Sequence, residues 1–252
     1  MRKMYLSAPL PFVGQKRMLA KEFMKVLEQY PDGTLFVDLF GGSGLLSHIT
    51  KSLKPHSTVI YNDFDNYRFR MKHIPQTNQL LADIREMVGN SVPRHKIIKG
   101  ELRERIFSRI EQEENSTGYV DFITLSSSIL FSMKYKLSVQ DMRKEALYNN
   151  IRKTGYPECT DYLEGLEIVS CDYKEVFNRY KDIPGVVFLV DPPYLSTDVG
   201  TYNMYWNMAD YLDVLNVLKG HSYVYFTSNK SSILELSLIH ISEPTRRRGI
   251  SY

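Results

Sequence analysis

The stretch Leu35-Phe36-Val37-Asp38-Leu39-Phe40-Gly41-Gly42-Ser43-Gly44 is an apolar run ending in three closely spaced glycines, and Leu45, Leu46, His48 and Ile49 follow it with helical periodicity. It reads as a buried strand, a glycine turn and a helix. That order builds a nucleotide-type pocket: glycines let the backbone approach a ligand closely, and the first N–H groups of a helix have no partners within it. The fit to the dinucleotide pattern G-x-G-x-x-G is partial. Gly42-Ser43-Gly44 is followed by Leu45-Leu46-Ser47, so the third glycine is absent and a pyrophosphate is disfavoured.

Working outward, Thr58-Val59-Ile60-Tyr61-Asn62-Asp63-Phe64-Asp65 reads as a strand ending in acid, about twenty residues past the glycines, where a carboxylate can take ribose hydroxyls. A ribose site without a pyrophosphate site fits a nucleoside cofactor. A third apolar run, Val186-Val187-Phe188-Leu189-Val190, delivers Asp191-Pro192-Pro193-Tyr194 to its tip. Prolines fix φ and carry no N–H, so this turn is rich in carbonyl acceptors beside the Asp191 carboxylate, with Tyr194 able to lie against a ring. An exocyclic amine, which has two N–H donors, is satisfied there. A strand ending in a proline turn is by itself only a turn signal; the glycine segment upstream is what gives it chemical meaning.

Together these segments resemble the Dam-type family of DNA adenine N6-methyltransferases, the Asp-Pro-Pro-Tyr class, which use S-adenosylmethionine. The resemblance runs from Pro9 to Asn229 and keeps the family's motif order. Pro11-Phe12-Val13-Gly14-Gln15-Lys16-Arg17 looks like the family's opening loop, which implies that Gly14 and Lys16 help close over the cofactor. Asp38, Phe40, Gly41, Gly42 and Gly44 match the methionine-side loop, and Asp63 matches the ribose-binding acid. Cys171-Asp172-Tyr173 resembles the segment that meets the cofactor's adenine, so Asp172 and Tyr173 are implied there. Asp191, Pro192, Pro193 and Tyr194 match the catalytic tetrapeptide. Asp at its first position is typical of enzymes acting on adenine N6, whereas Ser is commoner for cytosine N4.

What the resemblance implies chemically follows from these residue types. The methyl of a sulfonium is already electrophilic, so alignment with the attacking nitrogen is the main task. The N6 lone pair of adenine is delocalised into the ring; hydrogen bonds from N6–H to Asp191 and the Pro192 carbonyl draw the nitrogen toward tetrahedral geometry and stabilise its developing charge. The base must leave the duplex to be reached, with Tyr194 placed to stack on it. The mechanism requires no metal.

The alternation of strands and helices predicts an α/β fold: a Rossmann-like, mostly parallel sheet with helices on both faces, as in class I methyltransferases. Leu212, Leu215 and Leu218 suggest a helix after the catalytic turn, and Ser222–Asn229 a further core strand. Tyr202, Tyr205 and Trp206 are candidates to line a base pocket. Residues 1–73 and 167–235 are assigned to the catalytic domain. Residues 74–166 change to longer, charged, helix-like segments and are read as an inserted target-recognition domain. Leu80, Leu81, Ile84 and Met87 mark one helical face there, Leu102, Ile106 and Ile110 another, and Ser126–Met133 is expected to pack against the core. Lys134, Lys136, Arg143, Lys144, Arg152 and Lys153, interleaved with Tyr135, Tyr148 and Tyr156, suit phosphate contact and wedging.

Residues 236–252 need a different reading. Leu236-Ser237-Leu238-Ile239-His240-Ile241-Ser242-Glu243-Pro244-Thr245-Arg246 looks like a translated adapter from DNA library preparation, and Gly249–Tyr252 resembles its continuation. The tail is therefore read as non-native, with the family's reversed hairpin strand missing and a sheet edge left open. Of the chain's net charge of +3, Arg246, Arg247 and Arg248 against Glu243 supply +2, which leaves +1 for the rest. Overall basicity is thus no argument for DNA binding, which must come from local patches.

The chain has 252 residues, 43% of them hydrophobic, enough for a full core. Cys159 and Cys171 form neither a disulfide framework nor a zinc cluster and are read as free thiols in a reducing cytoplasm. There is no membrane-length apolar stretch or signal peptide. The expected partner is double-stranded DNA, in a bacterial or phage-encoded protein to which the sequence assigns no oligomeric state. Rival readings are an RNA adenine or DNA cytosine N4 methyltransferase, a nicotinamide-dependent oxidoreductase, and an inactive DNA-binding remnant. Asp at position 191 disfavours cytosine, and the missing third glycine disfavours the oxidoreductase.

Overall fold

Apolar residues run without interruption along the core strands, and successive side chains leave them for opposite faces. The structure, a computed structural model, describes residues 3–131, 134–193, 208–227 and 247–251. Its strands are β1 (Phe36–Asp38), β2 (Val59–Asn62), β3 (Ile97–Ile98), β4 (Leu147–Tyr148), β5 (Glu167–Val169), β6 (Val187–Val190), β7 (Ser222–Thr227) and β8 (Arg247–Ser251). The helices are α1 (Ala20–Glu28), α2 (Leu45–Leu53), α3 (Tyr67–Lys72), α4 (Ile74–Val88), α5 (Gly100–Thr117), α6 (Phe122–Ile129), α7 (Val139–Arg143), α8 (Tyr173–Tyr180) and α9 (Met208–Leu218).

The main sheet has the order β5-β2-β1-β6-β7-β8, and every neighbouring pair is parallel. Val187, Leu189, Val224 and Phe226 pack with Phe23 and Leu27 of α1 and Leu46 and Ile49 of α2 on one face. Phe188, Val190, Tyr223 and Tyr225 pack with Val176 and Phe177 of α8 and Val214 and Leu218 of α9 on the other. Helices therefore cover both faces, as a parallel sheet requires. The α9 face differs in detail from the leucine spacing: Tyr211, Val214 and Leu218 are the buried positions, because they point at the sheet.

Chain direction across the sheet decides where a ligand can sit. From β1 the chain goes out through β2 to β5, then returns to the other side of β1 for β6 and β7. The order reverses between β1 and β6, and a crevice opens beyond their carboxyl ends. Asp38 ends β1, and Asp191 directly follows β6. Asn62 ties the ends of two further strands together, its amide donating to the carbonyls of Leu39 at 3.0 Å and Cys171 at 2.9 Å.

Between β2 and β5 the helices α4, α5, α6 and α7 and the antiparallel pair β3-β4 enclose their own buried cluster. Leu80, Leu81 and Ile84, then Ile106 and Ile110, are buried as their spacing predicts, with Met87 and Leu102 partly so. Ser126, Ser128 and Ile129 of α6 are buried too, while Phe131 is exposed. The cluster also takes in Leu10, ahead of α1, and Tyr67 of α3. A buried ion pair joins the same segments: Arg70 Nε meets Asp121 Oδ1 at 3.1 Å, and the same guanidinium donates to the Pro11 carbonyl and Thr124 hydroxyl.

At the far edge, β8 pairs in parallel with β7, from Tyr223 opposite Arg247 to Thr227 opposite Ser251. This differs from the open edge expected of the sequence. A row of unpaired backbone groups along β7 can be satisfied by any extended segment, whatever its origin. Leu236–Arg246, Tyr194, Tyr202, Tyr205 and Trp206 lie outside the described residues. Among the described residues no helix is long and apolar enough to cross a membrane.

Candidate active site

A cavity of about 560 Å³ occupies the crevice at the switch point. Its walls gather most of the residues singled out by sequence: Gly14, Lys16, Phe40, Gly41, Gly42, Asp172, Tyr173, Asp191, Pro192 and Pro193. Asp38, Gly44 and Asp63 are not on the wall and stand behind it. Gly44 starts α2 with φ +72°, a conformation that favours glycine, and its N–H bonds the Gly41 carbonyl at 2.7 Å. Gly41 is glycine for want of space, since a Cβ there would lie 2.6 Å from the Asn62 carbonyl oxygen. At Gly42 a Cβ would meet the Phe12 ring, itself a wall of the cavity, at 2.9 Å.

The Asp-Pro-Pro turn is held by a cation from the segment before α1. Lys16 Nζ lies 2.7 Å from Asp191 Oδ2 and donates to the Gly14 carbonyl at 2.6 Å. Lys16 is itself buried, at 6% exposure, so the pair works in a medium far less polarisable than water. Burial pushes the Asp191 carboxyl above the ordinary range, and the Lys16 charge pulls it partly back. Asp191 Oδ1 is also buried and has no hydrogen-bond partner among the described residues. A buried carboxylate oxygen without a donor is costly unless a ligand supplies one.

Behind the turn, Asp38 accepts from the Ser47 hydroxyl at 2.7 Å. Burial drives its carboxyl up to about 7; Ser47 opposes this and the Asp191 charge adds to it. Across the cavity, the Phe40 and Tyr173 rings pack against each other, 4.9 Å apart and tilted by 32°, and form an apolar stretch of wall beside Asp172. One Asp172 oxygen caps α8 through the Lys174 N–H at 2.8 Å. The Tyr173 hydroxyl donates to Asp213.

Asp63 faces inward: its Oδ1 accepts from the Tyr67 N–H at 2.6 Å and the Tyr61 hydroxyl at 3.0 Å, and its Oδ2 from the Arg68 N–H at 3.1 Å. It satisfies the first turn of α3. Asp65, two residues on, is the carboxylate on the cavity wall, together with Asn62 and Phe64. Spacing in sequence could not separate them, because both fall where a ribose acid belongs.

The basic zone of the insert also differs from its sequence reading. Lys134 and Lys136 both pair with Glu145, Arg143 pairs with Glu104 and Glu111, and Lys144 pairs with Asp141. Arg143 and Arg152 also cover the rings of Phe107 and Tyr156. Tyr156 is buried and Tyr148 packs against Phe131, so neither is presented as a wedge. Acids thus pair with Lys134, Lys136, Arg143 and Lys144 of that zone.

Sequence reasoning missed Asp65, Arg70, Asp210 and Asp213 on the wall. With these included, five carboxylates (Asp65, Asp172, Asp191, Asp210 and Asp213) face three cations (Lys16, Arg70 and Lys174) among the described residues. Such a cavity favours a cationic ligand over an anionic one. Among the described residues no group of His, Cys, Asp and Glu is placed to hold a metal ion, and Cys159 and Cys171 are free thiols.

Comparison with known proteins agrees with this geometry. A Haemophilus influenzae protein named "Putative methyltransferase" is 38% identical over 239 residues, covering 92% of this chain and 79% of its own length. The family model for the D12 class N6 adenine-specific DNA methyltransferase matches residues 12–233, which takes in Gly14 and Lys16, the glycine turn, the helices between β2 and β5 and the Asp-Pro-Pro turn. With the motifs brought together at one crevice and the match spanning nearly the whole described fold, the chain belongs to the D12 class of N6 adenine-specific DNA methyltransferases.

Proposed function

We propose that the protein transfers a methyl group from S-adenosylmethionine to N6 of an adenine flipped out of double-stranded DNA. The observation that carries this reading is the buried Oδ1 of Asp191, without a partner among the described residues, on the wall of an acidic cavity that also contains the glycine turn. The donor fits the residues present. Its net positive charge suits a wall with more carboxylates than cations among the described residues, its adenine lies against the Phe40–Tyr173 wall with Asp172 as acceptor, and the Asp65 carboxylate takes ribose hydroxyls; the presence of all four residues on that wall supports this reading. A dinucleotide, which brings a pyrophosphate, has the wrong charge for this wall.

Bound there, S-adenosylmethionine supplies an electrophilic methyl on sulfur. The chain's own work is on the acceptor. Asp191 Oδ1 and the Pro192 carbonyl take the two N6–H groups, which localises the lone pair toward the methyl and stabilises positive charge as it develops. Lys16 stays on Oδ2 and keeps the carboxylate oriented. The raised proton affinity of Asp191 suits it to take the N6 proton after transfer. Tyr194 completes the tetrapeptide as a stacking surface. Residues 74–166 serve as the target-recognition domain, and Arg70 joins them to the opening loop through Asp121 and the Pro11 carbonyl.

The direct test is transfer of labelled methyl from S-adenosylmethionine to unmethylated DNA, with nucleoside analysis of the product. N6-methyladenine is the expected product. Label in RNA alone, or in N4-methylcytosine, would overturn the substrate assignment.

A paired substitution tests the donor wall. Asp65→Ala should weaken S-adenosylmethionine binding about tenfold, the loss of one or two hydrogen bonds to a charged group, with little change in stability. Asp63→Ala should instead cost about 1–2 kcal/mol of stability, as loss of a helix-capping carboxylate does. Calorimetric titration and urea unfolding read the two effects, and the opposite pattern would return the ribose to Asp63.

A further inference from the structure

The Asp191-Pro192-Pro193 turn poses a mechanical problem. Residues 192 and 193 have no N–H, so the turn lacks two backbone donors that could tie it to its surroundings. Side chains donate to it at both ends. Lys16 does this at the Asp191 carboxylate. At the other end the Tyr211 hydroxyl, from α9, donates to the Pro193 carbonyl.

Tyr211 is suited to this. Its side chain is buried at 1% exposure, so the hydroxyl has little freedom to move off the carbonyl. Tyr225 lies next to it: β7 places Tyr225 opposite Val190, one residue before Asp191, and its buried hydroxyl has no hydrogen-bond partner among the described residues. Two buried tyrosines therefore adjoin the turn, and of these Tyr211 bonds it through its hydroxyl.

Which carbonyl Tyr211 takes matters for the chemistry. With the Pro193 oxygen engaged, the Pro192 oxygen is the carbonyl left for the acceptor amine alongside Asp191 Oδ1. We propose that Tyr211 is a positioning residue for methyl transfer: by holding the Pro193 carbonyl it fixes the direction in which the Pro192 carbonyl and the Asp191 carboxylate face the acceptor nitrogen. This rests on the proposed function above and names a residue outside the tetrapeptide on which its geometry depends.

The test is Tyr211→Phe, which keeps the ring and removes the hydroxyl. The single-turnover rate of methyl transfer, at saturating S-adenosylmethionine and DNA, is expected to fall about ten- to a hundredfold, since small misplacements of reacting groups cost that much. The dissociation constant for S-adenosylmethionine should stay within about twofold, because the donor wall is untouched. Tyr211→Met, also without a hydroxyl, reads the same effect if the Phe variant does not fold. A Phe variant as fast as the wild type overturns the positioning role, even if Tyr211→Ala is slow, for then only packing matters. A fall in donor affinity that accounts for the whole effect overturns it as well. If the wild type methylates no adenine under the same conditions, the functional reading itself fails, and this proposal with it.

Discussion

Asp191→Asn is expected to slow methyl transfer about a thousandfold while leaving S-adenosylmethionine binding within about threefold. Asn has nearly the shape of Asp, but it carries no charge and presents an NH2 where the acceptor amine also presents N–H. The electrostatic part of the site is therefore lost with the fold kept, and single preorganised polar groups of this kind are worth about a hundred- to a thousandfold in rate. Loss of the proton-accepting carboxylate adds to this. The change also leaves Lys16 buried without its counter-charge, and breaking a buried pair from one side costs about 3–5 kcal/mol. Lys16→Met combined with Asp191→Asn removes both charges and should recover most of that stability without recovering the rate. Single-turnover kinetics, calorimetric titration with the donor and urea unfolding separate the three effects. Equal losses of rate and donor affinity would show that Asp191 binds the donor and does not act on the acceptor.

What the sequence displayed was the part of the site built from local strings. The run into Gly41, Gly42 and Gly44 is a strand and a turn by its own composition, and the Asp-Pro-Pro turn is stiff for reasons internal to it. Gly14 and Lys16 were legible through resemblance, and the cavity brings them to Asp191. The insert's helical faces were legible too, since periodicity decides which side of a helix is apolar. The rest depends on where side chains point after the chain has folded back on itself. Asp63 and Asp65 are both acids at the end of β2, and only the start of α3 decides that the first is consumed as a cap. Arg143 looks like a DNA-facing cation until Glu104 and Glu111, more than thirty residues earlier, come to meet it. Tyr211 looks like one more core aromatic, and its hydroxyl matters only because α9 crosses the end of β6.

Asp38 sets the pH dependence of stability, and the sign is unusual for a carboxylate. Its folded-state pKa is raised by burial from 3.8 to about 7. Between those values the unfolded chain has released the proton that the folded chain still holds, so unfolding becomes more favourable as pH rises. The stability Asp38 contributes is complete below about pH 4 and is lost by about pH 7. A displacement of about three pH units corresponds to roughly 4 kcal/mol. Burial displaces Asp63 and Asp191 in the same direction. Glu104, Asp141, Glu145 and Asp213, held low by Arg143, Lys144, Lys134 and Lys174, act oppositely, and their contribution is lost only as pH falls through their depressed values. The window from pH 5 to 7 therefore belongs to the buried carboxylates. Urea unfolding should show wild-type stability declining across it, and Asp38→Asn should remove most of the slope. A wild-type minus variant difference that does not change with pH would mean that Asp38 titrates normally. The same proton couples to the donor: ionised Asp38 adds negative charge behind the turn, so the affinity for S-adenosylmethionine should rise with pH from 6 to 8. S-adenosylhomocysteine, whose sulfur is neutral, should gain less over that range; equal gains would place Asp38's influence on the shared amino-acid arm and not on the sulfonium.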